Sequence, residues 1–464
     1  MDKQRYLIKN IRLFSLALLL PRSLSFFMVP LYTSQLSPAE YGTADILHLI
    51  VILLLPVLTL QIQDAVLRFS VREEYARGDV LMAGTAVITV GGAVLLSVYT
   101  VLWLLGYLRG KEVFFVFILL NYFIEAFSAV LSYFCRGIDA IRQITVASIV
   151  HSVLNIVCNL LFLLVFHWGL WGYLSAMVIG GLVSNIYIFA AAGLGHYASF
   201  RLPKREVFAG MLRISIPMIA GALSWWINSA SDKFILKFYA GAAAVGLYAV
   251  AGKLPTVLSL GGEVIAKAFS ISAIKEYDPE DRDGFLGNSY EQIRCGMLMS
   301  ASVLILFTPM LSAMLFSGEF YDAVHFVPPL ILAAYINQMA WTCENLYLAM
   351  GNTKAISATA VLGAFTNICL NFLLIPYYGA FGAAVATALG FLVVWLLRYC
   401  KLRKLTMIRF HFIKEGIGMG ILIFQALLPQ GGSLWVGIQL ACAITLGLTQ
   451  HREITRLLKM LKKA

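Results

Sequence analysis

Apolar segments recur from one end of this chain to the other, each roughly 17 to 25 residues long and able to span a bilayer core of about 30 Å as a helix. Hydrophobic residues make up 60% of the 464 residues and charged residues only 13%, and the mean hydropathy is +0.83. These values lie outside the usual range of soluble domains. The sequence therefore predicts an all-α integral membrane protein.

Fourteen transmembrane helices are predicted from these segments. They cover residues 12–36, 43–67, 80–106, 113–135, 144–166, 170–194, 211–238, 244–270, 293–316, 323–349, 355–375, 379–398, 412–428 and 433–449. An even number of spans places both termini on the same side of the membrane.

The net charge of +11 follows the predicted loops. Most of the 35 Lys and Arg residues lie in the N-terminal segment, in alternate loops with the adjoining span ends (Arg294 and Arg398 among them) and in the C-terminal tail, whereas the intervening loops hold only Arg109 and Lys111. Because cytoplasmic loops carry an excess of Lys and Arg, both termini are predicted to be cytoplasmic. The basic balance thus reflects topology, and no nucleic-acid partner is expected.

The motifs of soluble enzymes are missing from the sequence. Its seven cysteines are scattered singly, which predicts neither a disulfide framework nor a metal site. No Walker, H-E-x-x-H or nucleophile-elbow motif occurs. Asp281 and Asp283 form a D-x-D pattern, but in a short loop that we interpret as solvated. We expect a transporter with no catalytic residues, metal or cofactor.

Two pairs of similar stretches recur in the same order. LPVLTLQIQDAVLRFSVREEY at 55–75 resembles LPTVLSLGGEVIAKAFSISAIKEY at 254–277, and each contains an acid four residues before a base. NIVCNLLFLLVFHWGLWG at 155–172 resembles NICLNFLLIPYYGAFG at 367–382, and both contain Asn-x-x-x-Asn. Collinear repetition of two motifs indicates an internal duplication, as in many transporters.

The duplication predicts two pseudo-symmetric six-helix lobes. Residues 1–195 form the N-lobe with helices 1 to 6, residues 196–210 a cytoplasmic linker, and residues 211–400 the C-lobe with helices 7 to 12. Residues 401–464 add helices 13 and 14 and a basic tail. Substrate sites in such transporters commonly lie between the repeats, near the middle of the membrane.

Charged residues inside the predicted spans are the candidate functional residues, because each costs about 2.5–3.5 kcal/mol at a helix centre. The basic ones suit an anionic cargo such as a diphosphate, to which they offer charge-assisted hydrogen bonds. The candidate substrate-binding residues are Arg22, Lys233, Lys253 and Lys267. Lys237 lies near a helix end, where its stem can reach the headgroups.

The acidic residues in the spans are candidates for ion coupling or ion pairing. They are Glu125, Asp232, Glu263 and Glu344. Asp232 and Lys233 are either part of a cavity wall or a pair that neutralises itself. Glu263 and Lys267, like Asp64 and Arg68, have the i,i+4 spacing of an ion pair within one helix. We interpret both pairs as mainly structural, with Asp64 and Arg68 as gate candidates.

Several stretches resemble the polysaccharide flippases of the multidrug/oligosaccharidyl-lipid/polysaccharide (MOP) exporter superfamily, the Wzx-type or O-antigen flippases. The similarity covers essentially the whole chain. The stretches are PLYTSQLSPAEYGTADI at 30–46, TLQIQDAVLRFS at 59–70, SDKFILKFYAGAAAVGLYAVAGKLP at 231–255, GNTK at 351–354 and NICLNFLLIPYYGAFGAAVAT at 367–387.

The resemblance implies a V-shaped bundle of two lobes around a central cavity, as in MATE transporters. It also implies that an oligosaccharide on a polyprenyl diphosphate moves from the cytoplasmic to the outer leaflet of a bacterial-type plasma (inner) membrane for polysaccharide biosynthesis. Polymerase or assembly proteins are possible partners. A cation-coupled multidrug antiporter and a lipid II-type flippase of the same superfamily remain alternatives, because fold does not determine cargo.

Overall fold

The structure is a computed structural model that describes residues 23–72, 74–197, 203–408, 411–430, 433–451 and 453–455. The described residues contain helices and turns but no strand, which confirms the all-α prediction. Sixteen helices are named here in chain order. They are α1 (Val29–Gln35), α2 (Pro38–Leu58), α3 (Ile62–Ser70), α4 (Arg77–Leu104), α5 (Glu112–Gly137), α6 (Ile141–Asn159), α7 (Gly169–Ala191), α8 (Arg205–Ser215), α9 (Ile219–Ala251), α10 (Lys253–Lys275), α11 (Phe285–Leu306), α12 (Thr308–Leu315), α13 (Val327–Ala349), α14 (Thr353–Leu405), α15 (Phe412–Leu427) and α16 (Ser433–Thr449).

The described helices confirm a multi-span membrane protein but not the count of fourteen. Ten are long and apolar enough to cross a membrane, or eleven if α11 and α12, which meet at a bend of 62°, form one broken span. Residues 12–22 of the predicted first span lie outside the described residues, and the span is described only from Ser23 onward. The last two helices, α15 and α16, have only 16 and 17 residues.

Two long helices contain a tight break between predicted spans: α14 holds spans 11 and 12, whereas α9 holds most of span 7 and only the start of span 8, which continues in α10. Helix α9 is interrupted at Gly241 (φ 82°, ψ −179°) and α14 at Gly379 (φ 53°, ψ −131°). Residues with a Cβ rarely adopt these conformations, whereas glycine adopts them readily. The two glycines therefore mark the predicted boundaries between spans 7 and 8 and between spans 11 and 12.

The second predicted span, 43–67, is interrupted in the structure. Helix α2 ends at Leu58, and the shorter α3 begins at Ile62. Between them Leu60 and Gln61 both have a φ of 51°, in the left-handed region that non-glycine residues seldom occupy. The residues after the break, IQDAVLRFS, are less apolar than α2, but hydropathy averaged over the span does not locate the break.

The chain divides into two compact units. Unit 1 consists of the described residues up to Leu36 together with Thr43–Ala230. Its core lies among α2, α3, α4 and α5, where Ile62, Val66, Ile88, Tyr122 and Phe134 are almost completely buried. Helices α6 and α7 pack closely against each other, and α7 also packs against α5.

Unit 2 consists of Ser37–Gly42 and the described residues from Ser231 onward. Helix α13 is its centre, because it packs against α10, α11, α14 and α15. In the most apolar stretch of the span that contains α13, 78% of the residues are buried. In the other candidate spans of the described chain, this buried share is at most 50%. The first turns of α2 belong to this unit, where Gly42 packs directly on the backbone around Ala242 and Gly246.

Candidate functional site

A chain of polar side chains runs through unit 2 from α9 to α14. Tyr248 donates its hydroxyl to the Asp232 carboxylate at 2.7 Å, and the same hydroxyl lies 3.4 Å from the Thr387 hydroxyl. Asn367 donates its amide to Thr387 at 3.5 Å. Asp232 and Tyr248 lie on opposite sides of the Gly241 break, so this break brings them together.

The chain ends in a pair of asparagines one helical turn apart. Asn371 donates its side-chain amide N–H to the side-chain oxygen Oδ1 of Asn367 at 3.0 Å. Asn371 is fully buried, and its own Oδ1 accepts no hydrogen bond. An orphaned buried acceptor is costly in a low-dielectric interior.

We call Asp232, Tyr248, Thr387, Asn367 and Asn371 the Asp232 cluster. The many oxygen atoms of this cluster determine what it can bind. Carboxylate, hydroxyl and amide oxygens suit a hard cation or a proton. A transition-metal site is not indicated, because no group of three or more His, Cys, Asp or Glu in the described part of the chain is placed to hold a metal ion.

The basic candidate residues differ in their positions in the helices and in their exposure. Lys233 follows Asp232 in α9 and is half-buried, whereas Lys237, one turn later, is exposed. Lys253 is the first residue of α10 and is half-buried. Lys267 donates to Glu263 at 2.8 Å, and its side chain is 61% exposed. Arg22 lies outside the described residues.

The first repeat does not form the pair that its spacing predicts. Asp64 and Arg68, both described, are not joined in an ion pair, whereas Glu263 and Lys267 are. Asp64 lies in the first turn of α3, directly after the left-handed turn at Leu60 and Gln61, and Arg68 is exposed. Because of the break in the second span, the stretch that holds Asp64 and Arg68 has a different local structure from the similar stretch that holds Glu263 and Lys267.

The carboxylate of Glu344 is bound to an arginine that the sequence pattern assigned to a cytoplasmic segment. Arg398 is 3% exposed and donates to Glu344 at 2.8 Å, to the Ala340 carbonyl oxygen at 2.9 Å and to the Thr359 hydroxyl at 3.0 Å. This network fastens α13 to α14. Its position in the sequence, near the end of an apolar run, gave no indication of the pairing.

Arg294 was also predicted to be cytoplasmic and is also buried. It donates to Glu291 at 2.7 Å and to the Gln450 side chain at 2.8 Å, which links α11 to the end of α16. Lys414 in α15 donates to Glu453 at 2.9 Å. These bonds fasten the two C-terminal helices to the rest of unit 2.

The D-x-D pattern caps a helix. Both carboxylate oxygens of Asp281 accept backbone N–H bonds at 2.9 Å, from Leu286 and Gly287 in the first turn of α11. Asp283 accepts from the Phe285 N–H at 2.9 Å. Earlier in the loop, the N–H groups of Arg282 and Glu280 donate to Asp278 and hold its pKa below the usual range. The pattern therefore serves the loop and the start of α11.

Glu125 lies in a separate pocket, within unit 1. The pocket has a volume of about 320 Å³ and is bordered by α2, α5, α6 and α7. It brings Glu125 together with His48, Asn121, His151 and Asn155. Sequence reasoning identified Glu125 by its depth in an apolar helix but not its neighbours His48, His151 and Asn155, which come from two other helices.

Sequence comparison assigns the chain to a family. The profile of the polysaccharide biosynthesis protein family matches residues 7–271, more than half of the chain. The chain belongs to this family, which confirms the resemblance noted above. A probable low-salt glycan biosynthesis flippase, Agl15 of Haloferax volcanii, is 23% identical over 298 residues. That alignment spans 62% of each protein, so it covers less than two thirds of the archaeal relative.

Solved structures show the same fold. The lipid II flippase MurJ in an inward closed conformation matches with a TM-score of 0.73 at 15% identity, over 96% of this chain and 99% of that one. An inward-facing multidrug resistance MATE family transporter of the MOP superfamily matches with a TM-score of 0.60 at 15% identity, over 85% and 98%. The chain thus has the MurJ- and MATE-like fold predicted from its sequence.

Proposed function

We propose that this protein is a flippase that carries a lipid-linked oligosaccharide across the membrane for polysaccharide biosynthesis. The observation that supports this most strongly is a convergence. The same chain matches a polysaccharide biosynthesis family by sequence and a lipid II flippase over 96% of its length by fold. A MATE-like drug antiporter has a related fold, but the family match favours a glycan as cargo.

In this proposal, basic side chains bind the anionic link between lipid and glycan. A polyprenyl diphosphate exposes oxygens that lose their hydration inside the membrane, and Lys or Arg can replace that hydration with charge-assisted hydrogen bonds. Half-buried Lys233 and Lys253 are the described residues best suited to the role. Lys267 is more exposed than either of these lysines, so it contributes less.

Two sources of energy fit the structure. Outward movement of a negative charge from a negative interior gains about 2.3 kcal/mol per charge per 100 mV, which can drive the flip without ATP. A coupled H⁺ or Na⁺ is the second source, and the Asp232 cluster is its best binding place. Glu344, which is paired with Arg398, is a further candidate.

The protein is further proposed to lie in the plasma (inner) membrane with both termini in the cytoplasm. The Lys and Arg bias of the loops supports this orientation. The glycan would reach it from cytoplasmic glycosyltransferases, and polymerase or assembly proteins would receive it on the other side.

Transport is tested with purified protein in proteoliposomes that contain a fluorescent lipid-linked oligosaccharide. Access of an external glycosidase to the sugar reports the flip. We expect Lys253→Ala to lower the rate at least tenfold, with Lys275→Ala as the matched control, because Lys275 is the exposed last residue of the same helix. Wild-type vesicles that flip no lipid-linked oligosaccharide would refute the proposed function.

A further inference from the structure

The pocket around Glu125 differs from the related region of unit 2 in a way that points to a ligand. In unit 1 Asn159 donates to Asn155 at 3.0 Å, which is the bond that Asn371 makes to Asn367 in unit 2. The two asparagine pairs occupy corresponding places in the sequence repeat. They therefore provide a common reference for comparing the surroundings in each unit.

The surroundings of the two pairs have diverged. In unit 2 the protein's own Thr387 and Tyr248 complete the hydrogen-bonded chain, and Asn367 is only 6% exposed. In unit 1 Asn155 is half-buried and borders the 320 Å³ pocket. A volume of this size lies at the lower end of the range for small-molecule sites, about 300–1,000 Å³. The filled surroundings of the pair in unit 2 show that an asparagine pair does not by itself produce a pocket.

The lining of the pocket combines polar groups with aromatic rings. Glu125 offers carboxylate oxygens, and Asn155 keeps its amide N–H groups, although its Oδ1 already accepts from Asn159. Asn121 contacts His48 at 3.5 Å and keeps its Oδ1, and His151 offers ring nitrogens. Tyr32 and Tyr173 also border it, with their rings edge to face at 5.0 Å. A cyclic polyol needs such a set: several acceptors and donors around its hydroxyls, and an aromatic surface for its apolar face.

The charge of the lining argues against an anion. Among the described lining residues there is a carboxylate but no Lys or Arg. A diphosphate would therefore be repelled here, although the proposed cargo carries one. The neutral part of that cargo, its sugar, has no such penalty, and its hydroxyl groups can donate to the Glu125 carboxylate.

We propose that this pocket binds one neutral sugar ring of the lipid-linked glycan. The inference rests on the proposed function and deepens it, because it assigns the glycan and the diphosphate to different residues. Glu125 accepts hydrogen bonds from ring hydroxyls, Asn121 and Asn155 bind neighbouring hydroxyls, and the tyrosines pack on the ring. The pocket thereby gives the protein selectivity for the sugar.

Binding is tested directly on the full chain in lipid nanodiscs by saturation-transfer NMR. The probes are methyl glycosides of common hexoses and N-acetylglucosamine at millimolar concentrations. Wild-type protein should transfer saturation to the ring protons of at least one probe. Glu125→Gln should weaken that binding about tenfold, as expected for loss of a charged hydrogen-bond acceptor.

Glu112→Gln is the matched control. Glu112 lies on the same helix as Glu125 but outside the pocket, where it accepts from Trp103 and the Gly110 N–H. Its variant should bind the probe as the wild type does. His151→Gln is a second pocket variant, used if Glu125→Gln lowers the melting temperature, and it should weaken binding in the same direction.

Three results decide the matter. The sugar pocket is refuted if no probe receives saturation from the wild type beyond that from empty nanodiscs, or if both pocket variants bind as the wild type does. It is also refuted if wild-type and Glu125→Gln vesicles flip the same lipid-linked glycan with equal rate and KM. Failure of the proposed function is recognised separately, because wild-type vesicles would then flip no lipid-linked glycan at all.

Discussion

Asn371 donates its side-chain amide to Asn367 at 3.0 Å, and its own carbonyl oxygen is buried without a hydrogen bond. Asn159 makes the same bond to Asn155 at 3.0 Å, and its Oδ1 is likewise buried without a partner. The two repeats thus retain both an interaction and an unsatisfied acceptor. Because such an acceptor costs free energy, its presence in both suggests that these oxygens have a use during transport.

Asn371→Leu should separate stability from transport. The substitution removes a hydrogen bond that contributes on average about 0.6 kcal/mol in membrane helices, but it also removes the unsatisfied oxygen. We expect the melting temperature of the purified protein to stay within a few degrees or rise, while the flipping rate falls. A large loss of stability with normal transport by the folded fraction would contradict this expectation.

Asp232→Asn should remove ion coupling. The substitution keeps the shape of the side chain, so it can still bond to Tyr248, but it removes the charge that would attract a cation or accept a proton. In proteoliposomes we expect the flipping rate to lose its dependence on an imposed Na⁺ or H⁺ gradient. Asp322→Asn, at an exposed site, is the control. A gradient dependence equal to that of the wild type would exclude Asp232 as the coupling residue.

The Glu344–Arg398 pair should stabilise unit 2 in a way that a double-mutant cycle can detect. Glu344→Gln leaves the buried Arg398 without its counter-charge; loss of one partner of a fully buried pair costs about 3 kcal/mol, and we expect less here because the Glu344 side chain is 32% exposed. The double variant Glu344→Gln/Arg398→Met should lose less stability than the two single variants together. Additive losses, measured by thermal denaturation in detergent, would show that the two groups are not coupled.

The close contact between Gly42 and Gly246 should not tolerate alanine. A Cβ added at Gly42 would overlap the Ala242 carbonyl oxygen, and one added at Gly246 would overlap that of Pro38. Either substitution must move one backbone away from the other, at a cost of about 1–3 kcal/mol. We expect a lower melting temperature and weaker transport for both variants.

Gly420 and Gly437 provide matched controls for that experiment. A Cβ at either position would meet no atom within 4 Å, and both glycines lie inside helices. Alanine should therefore raise stability by about 0.5–1 kcal/mol through its better helix propensity. If alanine changed the melting temperature equally at all four glycines, the close contact between Gly42 and Gly246 would not be needed for stability.

Asp281→Ala should destabilise the start of α11 without any link to metals. Loss of a side-chain cap costs about 1 kcal/mol, and here two backbone N–H groups lose their acceptor. Mg²⁺ and Mn²⁺ should leave the melting temperature of the wild type unchanged. A rise in that temperature with either ion, lost in Asp281→Ala, would revive the metal interpretation of the D-x-D pattern.

The sequence by itself determined the features that depend on local order. The length and hydropathy of apolar segments predicted the helices, and the repeat predicted that Asn155–Asn159 and Asn367–Asn371 are alike. Residues four apart on a helix lie on one face, so spacing predicted the Glu263–Lys267 pair; the same spacing did not produce a pair between Asp64 and Arg68. The family resemblance gave the fold, because it covers the whole chain.

Only the tertiary structure decided which polar groups meet across helices. Arg398 and Glu344 are 54 residues apart in the chain, and hydropathy placed the arginine at the cytoplasmic end of a span. The Tyr248–Asp232 bond depends on a glycine break whose angle no local pattern specifies. Such contacts depend on the register and rotation of each packed helix. Both are determined jointly by the burial of many side chains from several helices. A single chain's hydrophobic pattern does not contain that information, and the Glu125 pocket arises in the same way.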